Sequence, residues 1–204
     1  MDSEAQTKIR CAVVTGGNKG TGFEICRQLA SNGVSVVLVN SAGISGAITD
    51  ADGFTALGQA LVENKENPNL KQMIKETYES AEECVRTNYY GVKSVTNALI
   101  PLLQLADSPR IVNVSSSIGE LKNISNEKAL EILSDEDGLK EENVDETVNM
   151  FLKDFKEDLL ESNRWPTYLP AYTISKACLN AYTRILAKDL PTFCINCLCP
   201  GYVN

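Results

Sequence analysis

The stretch Ile9-Arg10-Cys11-Ala12-Val13-Val14-Thr15-Gly16-Gly17-Asn18-Lys19-Gly20-Thr21-Gly22 reads as a strand running into a glycine-rich turn. Cys11 to Val14 form an apolar run between polar flanks, the pattern of a buried strand over Ile9 to Thr15. Glycines at 16, 20 and 22 allow a tight turn, a close approach of backbone to pyrophosphate, and close helix packing. A helix is expected next, with Phe23, Ile25, Cys26 and Leu29 on its inner side and Asn32-Gly33 as its stop. Its N-terminus would offer free N–H groups and positive dipole to an anion. The plainer alternative is a glycine-rich connection without a ligand; the order strand, spaced glycines, helix favours the nucleotide loop.

Outward from this unit, strands and helices alternate. Val34 to Val39 reads as a second strand leading straight into Asn40-Ser41-Ala42-Gly43. Residues 44 to 70 look loop-rich, with a short helical piece near Ala56 to Glu63. A long helix is expected over roughly Lys71 to Leu105, broken near Glu79, with Val85, Tyr89, Val92, Val95 and Leu99 in helical repeat. Ile111, Val112 and Val114 form a strand ending in Ser115-Ser116-Ser117-Ile118-Gly119. Residues 120 to 165 are an acidic helical insertion, striped by Val148, Phe151, Leu152, Phe155 and Leu159. Asn143 and Glu146 have capping-box spacing at its start. Then come a helix carrying Tyr172, to about Leu190, and an apolar strand from Phe193 to Cys199. This alternation calls for an α/β fold with a doubly wound parallel sheet. No linker divides the chain, so residues 1–204 are expected to form a single dinucleotide-binding domain of Rossmann type.

Composition narrows the function. A net charge of −8 without a basic patch disfavours nucleic acid. No apolar run is long enough to span a membrane, and the acidic start is no signal peptide. Seven cysteines without a framework spacing suggest reduced thiols and a cytoplasmic location. Cys194, Cys197 and Cys199 read as small buried hydrophobes in a strand rather than a metal or redox site. The chain has no histidine, which removes His-based triads and most zinc catalysis.

The chemistry points to Tyr172 and Lys176. Four apart on a helix, they project from one face, where an ammonium can lower the pKa of a phenol. Such a phenol can give or take a proton at a carbonyl oxygen. The spacing alone is weak, and Tyr89 with Lys93 repeats it. The company of Tyr172 decides: a nucleotide loop and a serine-ended strand precede it, and a strand ending in Pro200-Gly201 follows.

The order of TGGNKGTG at 15–22, NSAG at 40–43, TNYYG at 87–91, IVNVSSSIG at 111–119, YTISK at 172–176 and PGYV at 200–203 resembles the short-chain dehydrogenase/reductase family. The resemblance is to its carbonyl-reductase branch, and within it to plant enzymes of the salutaridine reductase and neomenthol dehydrogenase type. In that branch extra helices after the serine cover the face other members use to dimerise, which implies a monomer. The resemblance further implies NADPH-dependent reduction of a ketone or aldehyde to an alcohol. Ser116 would hydrogen-bond the carbonyl oxygen, Tyr172 would donate its proton, and Lys176 would hold the ribose and lower the Tyr172 pKa. Asn88 would position a water leading from Lys176 to solvent. Gly16, Asn18, Gly20, Thr21 and Gly22 would hold the pyrophosphate, Asn40 the adenosine side, and Pro200 and Gly201 the far end of the cofactor. Lys19 would favour NADPH over NADH through the extra phosphate.

The chain departs from the family pattern in three places. The strand before NSAG follows the first helix directly, so roughly fifty to sixty residues, including strands, are missing there relative to the family. Ser41 stands where the family has a second Asn, and the chain reaches Asn204 without the family's following threonine and substrate-covering helices. The surviving second strand has two possible slots. On the outer side of the first strand it would put Asn40 on the wrong side of the glycine loop. On the inner side it would place the turn correctly but strain the crossover. The alternative to an active reductase is therefore a non-catalytic shortened form with impaired cofactor binding.

Overall fold

The structure, a computed structural model, describes residues 11–32, 37–48 and 75–201. The elements in chain order are β1 (Ala12–Thr15), α1 (Gly20–Asn32), β2 (Val37–Asn40), α2 (Tyr78–Val85), a π-helical turn (Arg86–Gly91) and α3 (Val92–Leu103). They continue with β3 (Arg110–Val114), α4 (Glu127–Ser134), α5 (Glu141–Lys156), α6 (Pro170–Asp189) and β4 (Cys194–Leu198). The helical piece expected near Ala56 to Glu63, and the starts expected at Ile9, Val34 and Lys71, lie outside the described residues.

The four strands form one parallel sheet in the order β1-β2-β3-β4. β2 therefore takes the inner slot, pairing Thr15 with Asn40 on one side and Asn40 with Asn113 on the other. A buried polar network sits at this register. Asn40 donates through Nδ2 to Asn113 Oδ1 at 2.8 Å and to Thr96 Oγ1 at 3.1 Å. Asn113 in turn donates to Thr183 Oγ1 at 2.9 Å. Two strands, α3 and α6 are thus tied through side chains that water does not reach.

The core lies mostly on the helical layer. α6 buries thirteen of its twenty residues. Cys84 and Val85 of α2, Tyr89 of the π turn, and Val148 and Phe151 of α5 pack with its Ile174 and Tyr182. Each such side chain contributes about 1.5–3 kcal/mol by leaving water. The acidic insertion is thus two helices with one apolar face docked on this layer, as its stripe predicts.

Several expectations need correction. β1 is not buried: Cys11 and Ala12 are exposed and Val13 is 44% exposed, and among the described residues β1 is an edge strand paired on one side only. In α1 only Gly22 is buried, and Phe23, expected inward, is 55% exposed. Cys194 and Cys199 are exposed and Cys197 half-buried, since β4 is the opposite edge. All seven cysteines are free thiols. The helix beginning at α2 starts at Tyr78, capped by Thr77, whose Oγ1 accepts from Ser80 N at 3.2 Å. α5 starts before Asn143, which instead accepts from Lys140 N at 3.2 Å. It ends at Lys156, so Leu159 leaves the stripe and is exposed. No described helix is long and apolar enough to cross a membrane.

Asn113→Ala removes one partner of the buried Asn40 amide and the donor to Thr183, whose hydroxyl keeps only its bond to the Leu179 carbonyl. The expected loss is about 1–3 kcal/mol of stability, read as a lower urea midpoint at unchanged slope; an unchanged midpoint would mean the network does not hold the sheet.

Candidate active site

The carboxyl ends of β1, β2 and β3 converge on one cleft. At β1 the chain turns through Gly16, whose φ of +68° favours glycine. A Cβ there would lie 2.8 Å from the Ala42 Cα, so the glycine loop packs directly on the 40–43 turn. Thr15 fastens the two: its Oγ1 accepts from Ser41 N at 3.0 Å and from Ala42 N at 3.1 Å. The inner slot of β2 therefore brings loop and turn together. Gly22 is needed because a Cβ there would meet the Gly16 carbonyl oxygen at 2.5 Å. Asn18, Lys19 and Gly20 are exposed at the start of α1, with open space above Gly20, and Thr21 is half-buried. The first turn of α1 has unpaired N–H groups by its geometry, so the residues fit an anionic group such as a pyrophosphate.

Asn40 lies close by, but its side chain points into the polar network and is 1% exposed. It can act on a ligand only through the turn that it anchors. Asn88 is also fully buried, in the π turn, a distortion that recurs at functional sites. Its Oδ1 accepts from Ile44 N at 2.9 Å, and its Nδ2 donates to Ile44 O at 2.8 Å and to Ser175 Oγ at 3.0 Å. The amide thus clamps the chain leaving the turn.

Tyr172 and Lys176 lie on the first two turns of α6. Lys176 is 4% exposed and donates from Nζ to the Val114 carbonyl at 2.8 Å. Its ammonium stands 5.6 Å from the centre of the Tyr172 ring. A Cβ on Gly43 would lie 3.5 Å from Lys176 Nζ and 3.3 Å from Asn88 Oδ1, so turn, amide and lysine meet at one point. Ser116 caps a short 3-10 turn, Ser117–Gly119, its Oγ accepting from Ile118 N at 3.4 Å, and its hydroxyl lies near enough to the Tyr172 phenol to act on its ionisation. What lets the serine reach the tyrosine is Gly119. A Cβ there would meet the Lys176 backbone carbon and Cβ at 2.7 Å. The serine loop is further tied to the end of β4, where Ser117 N donates to Cys199 Sγ at 3.1 Å. Pro200 and Gly201 follow, both exposed. A groove of about 450 Å³ runs from Ser116 along the open β4 edge, past Asn180, Arg184 and Cys197.

Electrostatics depart from one expectation. Burial raises the Tyr172 phenol above its ordinary value, with the Ser116 hydroxyl pulling the other way. Burial also lowers Lys176 below its ordinary value. Desolvation is the largest influence, and the phenol stands above rather than below a free tyrosine. The second Tyr–Lys pair behaves differently. Tyr89 donates to Asp145 at 2.7 Å, and Lys93 pairs with Asp145 at 2.8 Å and Glu141 at 3.0 Å. There both groups are spent on carboxylates of α5, as in a structural bridge.

Thr15 and Ser175 escaped the sequence reading as working residues. Thr15 carried a signal, standing at the strand end before the first glycine; Ser175 carried none.

Comparison with known proteins follows this geometry. Salutaridine reductase of Papaver bracteatum is 49% identical over 259 aligned positions, covering 97% of this chain and 83% of the relative. Short-chain dehydrogenase/reductase 1 of Saponaria officinalis is 44% identical, covering 96% and 82%. The chain belongs to the short-chain dehydrogenase/reductase family. Among solved structures, salutaridine reductase from Papaver somniferum superposes with a TM-score of 0.88 at 47% identity, covering 96% of this chain and 90% of that one. No family model matches the chain. As a member of this family, it is an oxidoreductase with a Rossmann-like fold. The 259 aligned positions exceed the 204 residues present, so the relative carries residues inside the matched span that this chain lacks.

Gly119→Ala should force the serine loop off α6, at about 1–3 kcal/mol. For a chain of this size that lowers the melting temperature by roughly 2–4 °C per kcal/mol. An unchanged melting temperature would show that loop and helix do not press together as described.

Proposed function

We propose that the chain is an NADPH-dependent reductase that converts a small ketone or aldehyde into an alcohol, and runs in reverse as an alcohol dehydrogenase. The observation that carries this reading is the meeting of Ser116, Tyr172 and Lys176 beside a glycine loop packed on the 40–43 turn. Gly16, Asn18, Gly20, Thr21 and Gly22 would hold the cofactor's pyrophosphate at the α1 N-terminus. Lys19 would meet the extra phosphate that distinguishes NADPH. Pro200 and Gly201 would border its other end. Bound there, the cofactor supplies hydride to the carbonyl carbon.

The chain's own groups serve the oxygen. Reduction builds negative charge on it, and hydroxyl donors fixed in place stabilise that charge where it develops. Ser116 donates one hydrogen bond. Tyr172, whose burial keeps it protonated, donates the proton itself. Lys176 would bind the ribose hydroxyls and stabilise the phenolate that remains. Asn88 holds the wall of the cleft by clamping Ile44. The docking of α5 on α6 and α2 covers the helical face and favours a monomer. Free thiols throughout favour a cytoplasmic protein.

A second reading, a shortened form without catalysis, is favoured by one observation. The cofactor half rests on α1 and β1, which expose Phe23 and Val13 where the catalytic half is closely packed. Cofactor binding separates the two readings. A ligand that binds only the folded state raises the melting temperature. NADPH, more than NADH, should raise it, and Tyr172→Phe should keep that shift while carbonyl reduction falls about 10²–10⁴-fold. A cooperative melt that NADPH leaves unmoved would establish the non-catalytic form.

A further inference from the structure

The helix that carries Tyr172 and Lys176 begins without a cap of its own. Leu169, at the capping position, has a left-handed φ of 42° and no side-chain oxygen to offer. Pro170 follows and has no N–H. The first free donor of α6 is therefore the N–H of Ala171, one residue before Tyr172. It donates to Glu76 Oε2 at 3.4 Å, from a carboxylate 95 positions away in the chain.

Glu76 is well placed to hold it. On one side of it, Lys75 forms a two-bond backbone bridge with Ile48, at 2.8 and 3.1 Å. On the other, Thr77 caps α2 through its exchange with Ser80. Glu76 is thus pinned between the strand-like 44–48 segment and the start of α2, with its side chain turned toward α6. Its second oxygen, Oε1, is buried without a partner. No cation is paired with the carboxyl among the described residues. A surface glutamate would not be expected to carry an orphaned buried oxygen.

We propose that Glu76 is a positioning residue for Tyr172, capping from a distance the helix that carries it. Its meaning for catalysis rests on Tyr172 being the proton donor, but the contact itself can be tested without turnover. The geometry couples three pieces that the proposed reaction needs in register: the segment leaving the 40–43 turn, the start of α2 leading to Asn88, and the first turn of α6.

The contact also has a pH signature. Burial raises the Glu76 carboxyl from 4.5 to about 7, against the Ala171 hydrogen bond that lowers it. Of the titratable side chains on the surrounding elements, Cys84 on α2 feels its charge. Tyr172 and Lys176 are those on the facing turns of α6, and the 44–48 segment has none. A folded-state value above the free one means that the docked state prefers the neutral acid. The docking is fully present below 4.5 and is lost progressively as pH rises through about 7.

Amide hydrogen exchange over residues 168–176 of the full chain, corrected for intrinsic rates, tests this. The native chain should be roughly 10–100-fold less protected there at pH 8 than at pH 5. Glu76→Gln, which keeps the acceptor and cannot ionise, should hold the high protection at both. Glu76→Ala should be low at both, with α5 unaffected in every case. The proposal is overturned if Glu76→Ala matches the native chain at pH 5, or if Glu76→Gln keeps the native pH dependence. Should Glu76→Ala not fold, the glutamine variant still decides. If the native chain reduces carbonyls, Glu76→Ala should lower kcat and leave KM unchanged. If it reduces none, the proposed activity fails while the exchange result still stands or falls alone.

Discussion

The buried amide of Asn40 holds the sheet in its present order. It bonds at once to Asn113 on β3 and Thr96 on α3, and Asn113 passes the connection to Thr183 on α6. In a site without water each of these groups would cost about 1–3 kcal/mol if left unpaired. That penalty selects against a β2 placed on the outer side of β1, where Asn40 would lose these partners. Everything at the cleft follows from the slot. The 40–43 turn reaches the glycine loop, the chain beyond it reaches Asn88, and Gly43 comes within contact distance of Lys176.

The molecule is unevenly built around that point. α6 is buried on nearly all sides, and α2, the π turn and α5 complete a dense layer around it. A rigid support of this kind keeps Ser116, Tyr172 and Lys176 in fixed relation. The glycine loop is positioned by closer and fewer contacts, chiefly Gly16 on Ala42 and the Thr15 hydroxyl. Stability differs along a chain with the density of its buried contacts. The half around α6 is therefore the firm part, and the half with β1 and α1 is the part where a bound ligand would contribute most.

The two Tyr–Lys pairs show how environment divides chemistry from scaffolding. Both place an ammonium beside a tyrosine ring, at 5.6 Å for Lys176 and 5.9 Å for Lys93. Asp145 and Glu141 consume Lys93, and Asp145 takes the Tyr89 hydroxyl. Among the described residues no carboxylate is bonded to the Tyr172 hydroxyl, and Ser116 lies beside it.

The sequence by itself determined most of the elements, their alternation and a family membership that the relatives bear out. Those signals are local: an apolar run, three spaced glycines, serines at a strand end, and a tyrosine and lysine one turn apart. That residues are missing relative to the relatives was legible too, because Asn40 follows the first helix too soon for the family pattern. Only the tertiary structure decided the slot of β2, since side chains distant in sequence, Asn40, Thr96, Asn113 and Thr183, settle it together. It also decided burial. The apolar runs of β1 and β4 read as interior strands, but a strand's exposure depends on how many neighbours it has, and both are edges. The direction of the Tyr172 shift was likewise hidden, because spacing reports a nearby charge and not the burial that raises the phenol. The same holds for Glu76, an ordinary acidic residue in the sequence, which meets Ala171 only because folding brings two helix starts together.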